Sequence, residues 1–102
     1  MEEKFSIKNI EGKMPASYIF RLYVNASLSK NLPAKLDRLF KERLGDNYSL
    51  EVVDVLRNVD KAREDAIFII PTLVKLSPHP IKKIIGDFSF EEKIFLALDI
   101  KS

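Results

Sequence analysis

The segment Tyr18-Ile19-Phe20-Arg21-Leu22-Tyr23-Val24 restricts the fold more than any other part of this chain. Aromatic and β-branched residues dominate it, with a single interior charge, so it reads as a largely buried strand. After a loop from Asn25 to Asn31, Leu32, Leu36, Leu39, Phe40 and Leu44 recur at spacings of 4, 3, 1 and 4. That is one apolar helix stripe. Pro33 falls in the first turn, where backbone N–H groups have no intrahelical acceptor, and Gly45-Asp46-Asn47 stops the helix. Tyr48 to Leu56 is again rich in branched apolar residues and predicts a second strand. A helical crossover between two strands makes them parallel.

The second half is less uniform. Asn58 is placed to cap a short charged helix over residues 59–66, and Ile67-Phe68-Ile69-Ile70 fits either a continuation of that helix or the start of a strand. Pro71 to Leu76 predicts a strand opened by a proline, Pro78-His79-Pro80 a stiff turn, and Ile81 to Ile85 a further strand ended by Gly86-Asp87. Ser89-Phe90-Glu91-Glu92 has the form of a capping box at the start of a final helix. Residues 1–16 show no sustained periodicity and are expected to be a flexible N-terminal extension to a domain over 17–102.

With 102 residues, 46% of them hydrophobic, the chain suits one α/β domain. It has no cysteine, which removes disulfides, thiolate metal sites, CxxC redox chemistry and cysteine nucleophiles. Seventeen Lys and Arg against 15 Asp and Glu give a net charge of only +2, and the signs alternate along most of the chain. Neither nucleic acid nor membrane is therefore an expected partner. The N-terminus lacks the apolar run of a signal peptide, so the expected location is cytoplasmic.

The predicted order, βαβαββα, is thioredoxin-like. Within it stand Leu22-Tyr23-Val24, Val53-Asp54-Val55-Leu56-Arg57-Asn58, Pro71-Thr72-Leu73, Pro78-His79-Pro80, Ile84-Ile85-Gly86-Asp87 and Leu96-Ala97-Leu98-Asp99. In that order, over residues 18–100, they resemble the KaiB family. The resemblance implies a non-catalytic adaptor without cofactor or metal. Such a protein docks on a KaiC-type ring ATPase and modulates its phosphorylation cycle, in a circadian or stress-adaptive setting. A KaiA-like protein or a histidine kinase would be further partners, and the chain itself a dimer or tetramer. The resemblance points to Asn58, Lys61, Glu64, Asp65 and Ile67 as ring-facing. It also implies a cis Ile70–Pro71 bond and an alternative fold of the second half, with Pro71, Pro78, Pro80, Gly86, Ala97 and Asp99 as the residues of the switch. Ala97 stands where the family often carries glycine, which favours the helical state by roughly 1 kcal/mol. The alternative reading is a stand-alone sensory domain like the N-terminal domain of clock-associated histidine kinases.

Other side chains have plainer explanations. His79 lies between two prolines on a turn, and one imidazole without cysteine builds no typical zinc site. Ser27, Ser29 and Ser89 suit loops and caps, and Asp54 and Asp87 suit turns better than an acid–base pair. The glycines stand too far apart for a phosphate loop, and Asn25 to Lys30 replaces the cysteine motif of a redox thioredoxin. Lys75, Lys82 and Lys83 with Arg21 suggest either a basic face or an ordinary solvated sheet face.

Overall fold

The computed structural model describes residues 17–67, 69–86 and 88–100; the expected extension at residues 1–16 lies outside the described residues. Strand β1 (Tyr18–Val24) is hydrogen-bonded along both edges. Strand β2 (Tyr48–Asp54) runs parallel to it, matching Phe20 with Leu50, Arg21 with Glu51 and Tyr23 with Val53. On the other side β3 (Thr72–Ser77) runs antiparallel, with Leu22 opposite Leu73 and Phe20 opposite Lys75. Strand β4 (Lys82–Ile85) adds antiparallel to β3, giving the order β2-β1-β3-β4. With helices α1 (Leu32–Leu44), α2 (Val59–Glu64) and α3 (Glu91–Ala97), the succession is the predicted βαβαββα.

Side chains alternate across a strand, so β1 feeds two cores. Phe20, Leu22 and Val24 face Leu36, Leu39 and Phe40 of α1 and Ile94 and Phe95 of α3, with Leu73 and Leu98. Phe20 and Phe40 stack with ring centroids 4.0 Å apart, and Phe95 meets Phe40 edge-on at 6.4 Å. The opposite face is smaller, with Tyr23, Val53 and Val74 meeting Ala62 of α2 and Ile67. Helix α1 stops at Gly45, whose φ of +63° suits glycine and whose N–H donates to Lys41 O at 2.9 Å.

Both later helices close with the same backbone turn. After α2, Ala66 N–H donates to Arg63 O (3.1 Å) and Ile67 N–H to Ala62 O (2.8 Å). After α3, Asp99 N–H donates to Leu96 O (3.2 Å) and Ile100 N–H to Phe95 O (3.0 Å). These are Schellman turns whose left-handed position is filled by Ala66 (φ +57°) and Asp99 (φ +58°), with the following isoleucine buried in each case.

Several expectations need correction. Strand β2 ends at Asp54, two residues short of Leu56, because Asp54 accepts the Arg57 N–H on its carbonyl (3.0 Å) and the Leu56 N–H on its carboxylate (3.3 Å), turning the chain. The N-cap of α3 is Phe90, which has no side-chain acceptor and lies one residue after the Ser89 expected to cap the helix. Ile69 and Ile70 continue neither helix nor strand, and Ile67 is drawn into the smaller core by the turn that ends α2; Phe68 lies outside the described residues. Nor do the four basic residues share a face. Arg21 pairs with Val74 and Val74 with Lys83, which puts Arg21 and Lys83 on the α2 side and Lys75 and Lys82 on the other.

Lys75 is 1% exposed and makes no hydrogen bond or ion pair with any described residue. Burying an unpaired polar group costs about 1–3 kcal/mol. Lys75→Met keeps the stem and removes the amine, so it should raise the melting temperature, by roughly 5 °C per kcal/mol recovered. An unchanged or lower melting temperature would show that the amine is satisfied.

Tyr48 OH donates to the Asp37 carboxylate at 2.5 Å, tying β2 to α1. Burial, and then this hydrogen bond, push its pKa from 10.0 up to about 12. The folded state therefore keeps the phenol proton in a range where the unfolded chain releases it. This contribution is complete below the unfolded pKa and is lost as pH rises through the folded one. Denaturation curves at successive alkaline pH should show stability falling between pH 10 and 12 less steeply in Tyr48→Phe than in the parent.

Candidate functional site

The α2 side of the sheet carries the polar network of the fold. Arg21, the lone charge of β1, is 20% exposed. Its Nε donates to Glu51 Oε1 on β2 at 2.7 Å, and its Nη1 to Asp65 Oδ2 beyond α2 at 3.1 Å. Tyr23 OH donates to the same Asp65 oxygen. Asp65 caps the C-terminal end of α2, where the helix dipole disfavours a carboxylate; the guanidinium and phenol offset that repulsion. The result is a brace joining two strands to the end of a short helix. It escaped the sequence reading, although two signals pointed to it: a charge inside a buried strand requires an acid, and Glu51 is in register with Arg21.

The five residues expected to face a partner divide into two groups. Asn58 and Glu64 are exposed and Lys61 half-buried, all on or beside α2. Asn58 sits at the N-cap, yet its Nδ2 turns back to donate to Asp54 O at 3.0 Å. Asp65 is held in the brace and Ile67 is buried in the smaller core. The surface of α2 is extended by Leu56 and Val59, both large, apolar and exposed.

The expected switch residues mark the joints of the second half. Ile70–Pro71 is cis, as the resemblance implies, and leads into β3. Pro78 and Pro80, each after a cis bond, lie between β3 and β4, and Gly86 (φ +98°) follows β4. Ala97 ends α3 and Asp99 holds its closing turn; Asp87 lies outside the described residues.

The loop where a redox thioredoxin carries its cysteines is an ordinary turn, with Asn25 Oδ1 accepting the Ser27 N–H at 3.0 Å. Asp54 Oδ2, half-buried, lies 3.8 Å from the Nε of exposed Arg57, a turn pair. No group of three His, Cys, Asp or Glu among the described residues could hold a metal ion, and no described helix is long and apolar enough to cross a membrane.

The fold has a solved counterpart in the N-terminal domain of Synechococcus elongatus SasA. The two superpose with a TM-score of 0.63 over 79% of this chain and 78% of that one, at 16% identity. This likeness concerns the fold alone, which is thioredoxin-like. Sequence relatives are nearer. The circadian clock protein KaiB3 of Synechocystis sp. is 43% identical, over 80% of this chain and 82% of its own. The circadian clock oscillator protein KaiB of Microcystis aeruginosa is 40% identical, over 82% and 83%. The KaiB domain family matches residues 21–100, from the braced arginine of β1 to the isoleucine that closes α3, and the chain therefore belongs to the KaiB family.

Proposed function

We propose that this protein is a non-catalytic adaptor that docks on a KaiC-type ring ATPase and modulates its phosphorylation cycle, in a circadian or stress-adaptive role. The observation that carries this reading is the family match over nearly the whole described domain. The thioredoxin-like scaffold supplies no cysteine for redox chemistry, so binding is the activity that its surface supports.

In this reading α2 is the docking element. Asn58, Lys61 and Glu64 meet the ring, with Leu56 and Val59 adding apolar area beside them, while Asp65 and Ile67 act from behind by fixing the helix to the sheet. The joints at Pro71, Pro78, Pro80, Gly86, Ala97 and Asp99 would be where the second half rearranges if the free protein adopts another fold. A two-state element of that kind needs packings that differ by only a few kcal/mol.

Size-exclusion chromatography with light scattering, on the protein alone and after hours with a KaiC-type ring in ATP or ADP, tests the proposal. Movement into the ring peak is expected, and the free protein's mass reports its oligomeric state. Absence from the ring peak with both nucleotides would remove the adaptor reading. Two variants test the division of labour. Glu64→Arg should weaken ring binding about tenfold, or about 1.4 kcal/mol, at unchanged melting temperature. Asp65→Asn should lower both, with about 1 kcal/mol lost from the brace. Unaltered binding by Glu64→Arg would move the docking face away from α2.

A further inference from the structure

Strand β4 is an edge of the sheet: no described residue pairs with its outer side. Its alternate backbone N–H and C=O groups therefore point outward, a template for another strand. Beside it, on the α2 side, is a cleft of about 120 Å³ lined by Ala66, Ile67, Ile69, Thr72, Lys83 and Ile85. Its apolar walls include two side chains that stay open, Ile69 at 57% and Ile85 at 54% exposure. Lys83 and Ile85 alternate on this face, so a strand added to β4 would lay one side chain against the lysine and the next into the cleft.

Charge selects the occupant. Residues 66–86 contain Lys75, Lys82 and Lys83 and no acid, and both edge lysines are exposed. A second copy of this chain pairing through the same edge would bring four lysines together, and like charges on adjoining strands repel. Exposed lysine is a common guard against such self-pairing. The same lysines attract an acidic strand. We propose that the β4 edge and its cleft bind an extended acidic segment of a partner protein by strand addition. Acidic side chains would lie opposite Lys82 and Lys83, and an aliphatic side chain would fill the cleft beside Ile85. Main-chain pairing supplies register, the cleft takes the anchor, and the lysines give sign selectivity. The surface is separate from the exposed part of α2, so the proposal does not depend on ring docking.

The probe is a blocked hexapeptide, Thr-Glu-Glu-Val-Ile-Thr, titrated into the isotope-labelled full chain and followed by amide and methyl NMR shifts. Expected are saturable shifts at the amides of residues 82–85 and at the methyls of Ile69 and Ile85, weakening at least tenfold in 0.5 M salt, about a 4 Å screening length. A peptide with lysine in place of both glutamates should not bind, and the Lys82→Glu, Lys83→Glu double variant should reverse the preference. Both substitutions are at exposed positions, so the variant should fold, which its own spectrum verifies. No shifts at millimolar peptide, shifts centred elsewhere, or equal binding of the lysine peptide would overturn the proposal. So would β4 shifts that appear on concentrating the protein alone, since the edge would then belong to a second copy.

Discussion

The rest of this molecule is referred to β1, which is hydrogen-bonded on both edges, packed on both faces, and joins the parallel β2 to the antiparallel β3. Its even-numbered residues, Phe20, Leu22 and Val24, form the floor under α1 and α3, and Tyr23 the floor under α2. A strand in that position cannot slip by one residue, since every side chain would change face. Arg21 makes the register stricter still. A guanidinium at the centre of the sheet has to find its acids on the strand beside it and the helix above it, and Glu51 and Asp65 occupy those two places. Surface ion pairs contribute little on their own, but this one is partly buried and shares a carboxylate with a phenol, so removing one member leaves polar groups unsatisfied.

Helix α3 is held to α1 by a small number of polar contacts set beside its apolar packing. Arg43 of α1 reaches α3 twice, with its guanidinium 3.9 Å from the centroid of the Phe95 ring and its Nη2 2.8 Å from Glu92. Lys35 of α1 donates to Phe88 O at 2.6 Å, anchoring the segment that enters α3. These are long, flexible side chains holding a seven-residue helix, too short to persist by its own propensity. The packing of Ile94, Phe95 and Leu98 onto Phe40 and its neighbours therefore carries most of the stability of α3, and the charged contacts orient it.

How much of this could be read from the chain follows from the range of the interactions. Strand β1, α1 and the parallel crossover were legible because one local pattern, burial at period two and then near 3.6, decides each of them. The residues after Ile67 were not, because a buried isoleucine suits helix, strand or turn, and the deciding event is the left-handed Ala66 that no local rule anticipates. Ser89 looked like a cap because its spacing to Glu92 is right, yet the helix begins one residue later, where Phe90 leads into the fixed packing of Ile94 and Phe95. The basic face failed for a simpler reason: composition brought four cations together, and the alternation of the pleat divides them between two sides. Among the expected docking residues, charge pattern alone could not distinguish Glu64, which is exposed, from Asp65, which is held by a cation 44 residues away in the chain.

One turn connects the two surfaces proposed to bind partners. Ala66 and Ile67 close α2 by their backbone hydrogen bonds and also form one wall of the cleft beside β4. Ile67 is buried under α2 as well, so its side chain cannot move toward the cleft without loosening Ala62 and Val74. A strand that filled the cleft would press on this wall, and a partner that gripped α2 would pull on the same turn through Asp65 and the brace. Whatever one occupant gains or loses from the position of that turn, the other must feel with the same free energy, because equilibrium coupling between two sites is reciprocal. The short helix and its left-handed closing residue thus form the part of the fold where two binding events would communicate.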